Sequence, residues 1–305
     1  MPAVAGEAAL AGRRGAARRL SAALFRRPWL RASLTLSGPL AWFVLIYLAA
    51  LAALLVSAFW TVDPFTSEVV HDWTTSNFTS LLESSTYRQI ALRTIGIAVA
   101  VTVTDAILAF PFAYFAARIA PRRLQTILFV LVLLPLWSSY LVRVYAWRLI
   151  LAHDGALNWT LGKLHLGSVS VGYSNWAMWI VFSYIWLPFM IFPIWTAIER
   201  VPRSFLEAST DLGGSAWTTF RRVLLPLAMP GLVAGSIFTF SLTLGDYITP
   251  TLVGGASSDF IGNVVYRNVG VANNVPFAAA FATLPMIVMG VYLAIARRLG
   301  AFQAL

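Results

Sequence analysis

The sequence of 305 residues contains no cysteine, and charged residues make up only 11% of it. Without cysteine the chain can form no disulfide, thiolate nucleophile or cysteine-ligated zinc site. Hydrophobic residues account for 59% of the chain and the mean hydropathy is +0.76, so too few polar side chains are present to cover a soluble domain. The composition therefore indicates a protein embedded in a membrane.

Sequence motifs of the common enzyme classes are also absent. The chain has no Walker A motif, no dinucleotide-binding glycine pattern, no His-Glu-x-x-His helix and no nucleophile elbow. Its three histidines lie in connections between apolar segments, and no nucleophile is paired with a base. We therefore expect no enzymatic activity, no metal and no cofactor on this chain itself.

Six long apolar segments are present, and each has about the 20 residues that a helix needs to cross a bilayer. They cover residues 39–60, 91–117, 124–149, 176–198, 227–246 and 276–296. The predicted fold class is an all-α integral membrane protein with six transmembrane helices. Its predicted parts are an amino-terminal tail at residues 1–35, a six-span domain at 36–298 and a short tail at 299–305.

Basic residues are concentrated in alternate connections. Sixteen of the 22 lie in the amino-terminal tail, the second and fourth connections and the carboxyl-terminal tail, whereas the other connections are acidic or mixed. The positive-inside rule then predicts that both termini lie in the cytoplasm. The net charge of +10 is accounted for by this topology and by contact with anionic membrane lipids. No basic domain with aromatic readers is visible, so nucleic acid is not an expected partner.

The fourth connection, at residues 199–226, is long enough to fold. Ser204 and Glu207 have the spacing of a capping box, which predicts the start of a short helix. Gly213 then supplies a left-handed helix end. Ser215 can cap a second short helix that ends before the next proline. We expect two short helices on the membrane surface, in a position to bind a soluble partner.

The same connection carries a family motif. A Glu-Ala pair at 207–208, a glycine at 213 and a Val-x-Leu-Pro run at 223–226 resemble the EAA loop of permease subunits from bacterial ABC importers. The chain departs from that pattern with Ser209 in place of alanine and Val223 in place of isoleucine. In that family the loop forms coupling helices that dock on the ATP-binding subunit. The resemblance implies that the interface residues here are Glu207, Ala208, Gly213, Leu225 and Pro226.

Residues 85–298 are similar to the spermidine/putrescine-type permeases, and most similar to the first of the two permeases that such importers pair. The similarity is carried by residues 110–118, 141–147, 155–158, 244–250, 254–255, 261–263 and 276–277. It implies a bacterial inner-membrane protein that forms half of a polyamine pathway with a second, homologous permease. It also implies two ATP-binding subunits, which would hold ATP and Mg, and an extracytoplasmic substrate-binding protein.

Two carboxylates are candidates for contact with the substrate. Asp105 lies inside the second apolar segment, where a charged side chain normally faces the interior of the helix bundle. It could attract a polyamine ammonium group, pair with Arg93 or Arg143, or be protonated and bonded to a threonine. Asp246 ends the fifth segment beside Tyr247, and a carboxylate next to an aromatic ring suits an alkylammonium ion. A hydrated carboxylate at a helix end is the alternative.

Three further residues belong to the predicted outer side. Tyr247 and Thr249 could line the same mouth as Asp246. Arg143 lies on the outer part of the third segment, against the charge trend of the chain. It could contact a binding protein or close an outer gate by pairing with an acid. Extension of its side chain towards lipid phosphate is the alternative.

The importer interpretation has two kinds of rival. Within it, the substrate could be an opine, thiamine or an amino-acid derivative, while an oxyanion is disfavoured by the acidic outer connections. From a different class, an ion-coupled secondary transporter could use Asp105 as its ion site, but no internal repeat is visible. An intramembrane enzyme is excluded by the lack of a nucleophile paired with a base.

Overall fold

The computed structural model describes residues 28–298. The predicted tail up to residue 27 and the predicted tail at 299–305 lie outside these residues. In the described range, five helices are long and apolar enough to cross a membrane, and a sharply bent pair makes six if it counts as one span. The chain divides into two compact units, Met1–Val56 and Ser57–Leu305.

The described residues of the first unit are helical. They form α1 (Pro28–Trp42), a π-helical stretch (Phe43–Leu48) and α2 (Ala49–Ser57). The helix therefore includes residues 28–35, which were predicted as part of the tail, as well as most of the predicted first span at 39–60. Small and apolar residues predominate along it, so it runs directly into the membrane segment.

A short hairpin and one helix connect to the second span. Strands β1 (Thr61–Val62) and β2 (Val69–Val70) pair antiparallel, and α3 (Ser76–Glu83) follows. In the hairpin turn, the backbone N–H groups of Phe65 and Thr66 donate to Asp63 and hold the pKa of its carboxyl below the usual value. Asn77 of α3 donates to the carbonyls of Ala58 and Trp60 at 2.9 and 2.8 Å, which ties α3 to the first strand.

The second span is α4 (Ser85–Tyr114), which continues as a π-helical stretch (Phe115–Ile119). Ser84 caps its start by accepting the backbone N–H of Tyr87 at 3.5 Å. Its middle is buried against other helices, and its two ends extend a few residues beyond the predicted segment 91–117. The second predicted span is therefore present.

The third predicted span, at residues 124–149, is a broken helix rather than a continuous one. It forms α5 (Arg122–Trp137) and α6 (Tyr140–Leu151), with a bend of 93° between Trp137 and Tyr140, and α7 (Ala156–Lys163) follows. Pro135 weakens the end of α5, and the backbone N–H and hydroxyl of Ser138 both donate to its carbonyl, at 3.2 and 2.7 Å. These local bonds compete with the helical bonds that a continuous span needs.

The fourth and fifth spans enclose the long connection. They are α8 (Asn175–Arg200) and α11 (Leu225–Leu244), and between them lie α9 (Arg203–Asp211), α10 (Ala216–Thr219) and a π-helical stretch (Phe220–Leu224). The prediction that the second short helix ends before Pro226 is wrong, because one helix runs from Ala216 to Leu244. Pro226 is tolerated because it occupies the start of α11, directly after the wider π turn, where its missing N–H costs least.

The last part of the chain contains two short helices and the sixth span. These are α12 (Ile248–Val253), α13 (Ile261–Gly270) and α14 (Val275–Arg298). Asn263 caps α13 by accepting the N–H of Phe260 at 3.0 Å, and Asn274 accepts the N–H of Phe277 at 3.0 Å at the start of α14. The sixth predicted span is present.

The core of the second unit is a bundle of α4, α8 and α11, which pack on one another. Glycines in α11 allow the closest approach: a Cβ atom at Gly231 would lie 2.4 Å from the carbonyl oxygen of Pro193, and one at Gly235 would lie 2.8 Å from the sulfur of Met190. Small residues are the usual means of packing membrane helices, because lipid offers no hydrophobic driving force between them. This bundle holds both candidate site regions, one at each end.

Candidate functional site

At one end of the bundle, α9 and α10 form a helical knob, residues 203–219, that projects from the spans. The predicted capping box of Ser204 and Glu207 is wrong. Helix α9 begins at Arg203, after Pro202, and no side chain caps its first turn. Because Pro202 already has the fixed backbone angle that precedes a helix, Ser204 falls inside the first turn, where its hydroxyl cannot act as an N-cap.

The turn between the two knob helices forms as predicted. Gly213 has a φ of +79°, the left-handed conformation that favours glycine. The N–H groups of Gly213 and Gly214 donate to the carbonyls of Thr210 and Ser209 at 2.9 and 2.8 Å, which closes α9. Ser215 then caps α10 by accepting the N–H of Thr218 at 3.3 Å. The first short helix, the left-handed turn and the serine cap are confirmed, whereas α10 is the start of the longer helix that continues into α11.

A side-chain hydrogen bond joins the two helices of the knob. The hydroxyl groups of Ser209 on α9 and Thr219 at the end of α10 lie 2.8 Å apart. Gly214 lets the helices approach here, because a Cβ atom on it would lie 2.6 Å from the Ser209 carbonyl oxygen. Ser209 is the residue that departs from the alanine of the family motif, and its hydroxyl supplies one half of this bond.

The knob presents apolar side chains to its surroundings. Leu212 is 90% exposed, Trp217 66% and Phe205 50%. A groove with a volume of about 440 Å³ lies beside them, lined by Phe205, Ala208, Leu212 and Val223 among others. Exposed apolar patches of this kind mark protein or membrane contacts. A knob outside the spans with such a surface suits a protein partner.

The predicted interface residues are arranged around this surface. Glu207, Ala208 and Gly213 are exposed, and Pro226 is exposed at the base of the knob, while Leu225 is half-buried. Within the described part of the chain, Glu207 forms no ion pair. Its carboxylate is therefore free to meet a group of a partner.

The base of the knob is fastened to α4 by Arg118. Its guanidinium group donates to the carbonyl oxygens of Ile198 and Val201, which lie at the carboxyl end of α8. A cation at this position satisfies helix-end carbonyls and interacts favourably with the helix dipole. Arg118 therefore links α4 to the hinge from which the knob leaves α8.

Asp105 is fully buried in the three-helix bundle. Both of its carboxyl oxygens lack a hydrogen-bond partner among the described residues. The hydroxyl of Ser183 on α8 is near enough to interact with the carboxyl group but is not in hydrogen-bonding geometry. In residues 28–298, neither Arg93 nor Arg143 forms an ion pair with Asp105. Arg93 donates to the carbonyl of Asp259 at 3.3 Å.

At the opposite end of the bundle, Asp246 lies between α11 and α12 and is only 9% exposed. One carboxyl oxygen accepts the backbone N–H groups of Ile248 and Thr249 at 2.7 and 3.1 Å. The other accepts the hydroxyl of Tyr140 and, at 3.4 Å, that of Thr249. The Tyr140 and Thr249 oxygens lie 2.7 Å apart. Asp246, Tyr140 and Thr249 thus form one buried polar cluster.

The other residues predicted for this end are separated from that cluster. Tyr247 is exposed and stacks on Tyr266, with ring centroids 4.6 Å apart and an interplanar angle of 14°. Arg143 is half-buried, one turn along α6 from Tyr140, and its Nε and Nη1 atoms have no partner in the described range. No three metal-ligating side chains of residues 28–298 come together.

Comparison with known proteins identifies the family. Residues 109–300 match the family described as the binding-protein-dependent transport system inner membrane component. The chain belongs to this family. It is therefore an ABC transporter permease, a multi-pass protein of the inner membrane, and the relatives below are transport proteins rather than enzymes. The predicted fold class and family are confirmed.

Relatives of this permease are similar over most of their length. The inner membrane ABC transporter permease protein YdcU of Escherichia coli strain K12 is 46% identical over 300 residues, which cover 94% of this chain and 95% of that protein. The spermidine/putrescine transport system permease protein PotB of the same strain is 33% identical over 256 residues, covering 83% and 91%.

The permease fold also has a solved counterpart. A crystal structure of a bacterial alginate ABC transporter, in complex with an alginate pentasaccharide-bound periplasmic protein, contains a chain that superimposes with a TM-score of 0.73. It covers 92% of this permease and 97% of that chain at 17% identity. At that identity the comparison shows the fold alone.

Sequence reasoning missed two site residues of the permease. Tyr140 contacts Asp246 across more than one hundred residues of chain, and no local pattern signals such a pair. Arg118 was visible only as one basic residue in a basic connection. The available signal was the position of Arg118 at the end of an apolar segment. Neighbouring spans end at a similar depth in the membrane, so an arginine there can reach the free carbonyls at the end of another helix.

Proposed function

We propose that the chain is the first of two permeases in an ATP-driven polyamine importer. A second, homologous permease completes the pathway, and two ATP-binding subunits hold ATP and Mg and dock on the helical knobs. An extracytoplasmic binding protein delivers the substrate. The observation that carries this proposal is the knob itself, which combines the coupling motif at 207–226 with an exposed apolar surface outside the spans.

The proposed orientation places the knob and both termini in the cytoplasm. The basic residues of the second and fourth connections lie on the knob side of the bundle, and the positive-inside rule assigns that side to the cytoplasm. The cluster of Asp246, Tyr140 and Thr249 then lies towards the outer side. ATP binding would draw two knobs together, and the bundles would move as rigid bodies to open the pathway outwards.

Polyamines are the proposed substrate because the permease is similar to PotB over most of its length and because both candidate pathway charges are carboxylates. Asp246 lies at the outer end of the bundle and Asp105 at its centre, so both could attract ammonium groups. The alternative substrates are an opine, thiamine or an amino-acid derivative. The substrate test below distinguishes them from a polyamine.

The test of coupling is co-purification of the permease with its ATP-binding subunit. Leu212→Asp places a charge on the exposed apolar face of the knob and should abolish association, as should Gly213→Pro, which breaks the left-handed turn. Glu207→Ala should reduce the stimulation of ATP hydrolysis. Leu166→Asp is the matched control, because Leu166 is an exposed leucine at the other end of the bundle.

Two results decide between the importer and its rival. Wild-type complex should show ATP hydrolysis that rises with binding protein and spermidine, and the knob variants should lose it. If no ATP-binding subunit associates and uptake instead follows the proton gradient, the permease is not coupled through its knob. If thiamine or an opine stimulates hydrolysis and spermidine does not, the substrate assignment is wrong and the coupling assignment stands.

A further inference from the structure

The cluster around Asp246 leaves that carboxylate no free oxygen. One oxygen is held by two backbone N–H groups at the start of α12, and the other is held by the hydroxyls of Tyr140 and Thr249. With neighbouring donors against both of its oxygens, the carboxylate has no open side from which an ammonium group could reach it. For Asp246 to meet a cationic substrate, at least one of its present partners has to leave.

Of these partners, Tyr140 is the one that can leave. Ile248 and Thr249 lie only two and three residues after Asp246 in the chain, so their N–H groups move with it. Tyr140 belongs to another element and is the first residue of α6 after the 93° bend. A change in that bend moves the Tyr140 hydroxyl relative to Asp246, while the backbone bonds to the other oxygen stay in place.

The ring of Tyr140 stacks on a neighbouring aromatic side chain. It lies parallel to the indole of Trp186 on α8, with centroids 5.6 Å apart and an interplanar angle of 14°. Trp186 is buried in the bundle, so its indole gives the phenol a flat surface along which to slide. The hydroxyl can thus separate from Asp246 without loss of the ring's packing.

We propose that Tyr140 is a positioning residue whose hydroxyl occupies the Asp246 carboxylate in this conformation. When the α5–α6 bend changes, the hydroxyl moves away and the carboxylate can pair with an alkylammonium group of the substrate. The proposal rests on the polyamine importer function proposed above. Tyr140 does not touch the substrate; it sets when Asp246 is available. Hydrogen bonding to a phenol and pairing with an ammonium ion are then alternative states of one carboxylate.

The experiment uses the full transporter, with both permeases, the ATP-binding subunits and the binding protein, in lipid vesicles. Tyr140→Phe keeps the ring and its stacking and removes only the competing hydroxyl. Hydrolysis of ATP without binding protein should rise several-fold, because the outer end is no longer held closed. The KM for spermidine should fall by roughly tenfold, the scale of one hydrogen bond to a charged group.

Tyr145→Phe is the control, because Tyr145 lies on the same helix with its hydroxyl outside the cluster. Thr249→Val removes the more distant hydroxyl and should change both quantities in the same direction but less. In an Asp246→Asn background, Tyr140→Phe should have no further effect on KM, since the group that it shields has lost its charge.

Three outcomes overturn the proposal or part of it. If Tyr140→Phe lowers kcat but leaves KM and basal hydrolysis at the Tyr145→Phe values, Tyr140 has only a structural role. If its effect on KM persists in the Asp246→Asn background, it does not act through this carboxylate. A wild-type transporter that shows no response to spermidine refutes the proposed substrate and therefore the pairing of Asp246 with an ammonium group. Should Tyr140→Phe fail to assemble, Thr249→Val with and without Asp246→Asn tests whether a hydroxyl on the same carboxylate oxygen limits binding, and an unchanged KM then contradicts the proposal.

Discussion

Replacing Arg118 by alanine removes the side-chain hydrogen bonds between the end of α4 and the end of α8. The guanidinium group donates to two carbonyl oxygens, those of Ile198 and Val201, and both residues are buried. A hydrogen bond to a charged group contributes about 1.5–3 kcal/mol. Because Arg118 itself is only half-buried, we take the lower value for each bond and expect a loss of about 3 kcal/mol.

The assay for Arg118 has two readouts. The midpoint of thermal unfolding in detergent should fall most for Arg118→Ala and less for Arg118→Lys, which keeps the charge but places its N–H donors differently. The number of ATP molecules hydrolysed per substrate transported should rise in the same order, because movement of the knob is passed on to α4 less completely.

The matched control for this experiment is Arg122→Ala. Arg122 is an exposed arginine of the same connection, and its side chain makes no hydrogen bond in the described range. It should leave both the unfolding midpoint and the ATP ratio near the wild-type values. If Arg122→Ala destabilises the protein as much as Arg118→Ala, general surface charge rather than the two helix-end bonds is responsible, and the reasoning fails.

Three further predictions concern the knob and the bundle. Ser209→Ala and Thr219→Val should each weaken coupling of ATP hydrolysis to uptake, and the double variant should be no worse than either one, because both remove the same bond. Gly213→Ala should lower the free energy of unfolding by about 1–2 kcal/mol, because this position is left-handed, and it should reduce binding of the ATP-binding subunit. Gly96→Ala is the control, because open space surrounds Gly96, and it should leave that binding unchanged. Asp105→Asn should assemble normally, because the side chains have the same shape, and raise the KM for spermidine; an unchanged KM would remove Asp105 from the pathway.

The sequence was sufficient for the spans and the knob, because both depend on local signals. Long apolar runs have few alternatives to membrane helices, and Gly213 and Ser215 act through their own backbone neighbours. The break at Ser138 was missed because it lies inside a continuous apolar run, where hydropathy does not distinguish one helix from two. Its signal was Pro135 followed, after two apolar residues, by the serine pair at 138–139.

The remaining misses come from neighbouring prolines and from distant contacts. Pro202 overrode the capping-box pattern by starting the helix one residue before Ser204. Pro226 did not end a helix, because a π turn precedes it. The contacts of Tyr140 with Asp246 and of Arg118 with α8 depend on how the spans pack. Packing of this kind is determined by the shapes of many side chains together. No repeating sequence pattern indicates which residues of different helices will be in contact.

The uninterrupted helix from Ala216 to Leu244 has a mechanical consequence. Its 29 residues make a lever about 43 Å long, with the knob at one end and Asp246 just beyond the other. A tilt of about 5° at the knob would displace the far end by about 4 Å, more than the length of a hydrogen bond. The π turn at Phe220–Leu224 lies between the knob and the rest of this helix, so the tilt reaches the far end only to the extent that this turn does not bend. A small tilt at the knob would then become a displacement large enough to separate two bonded side chains.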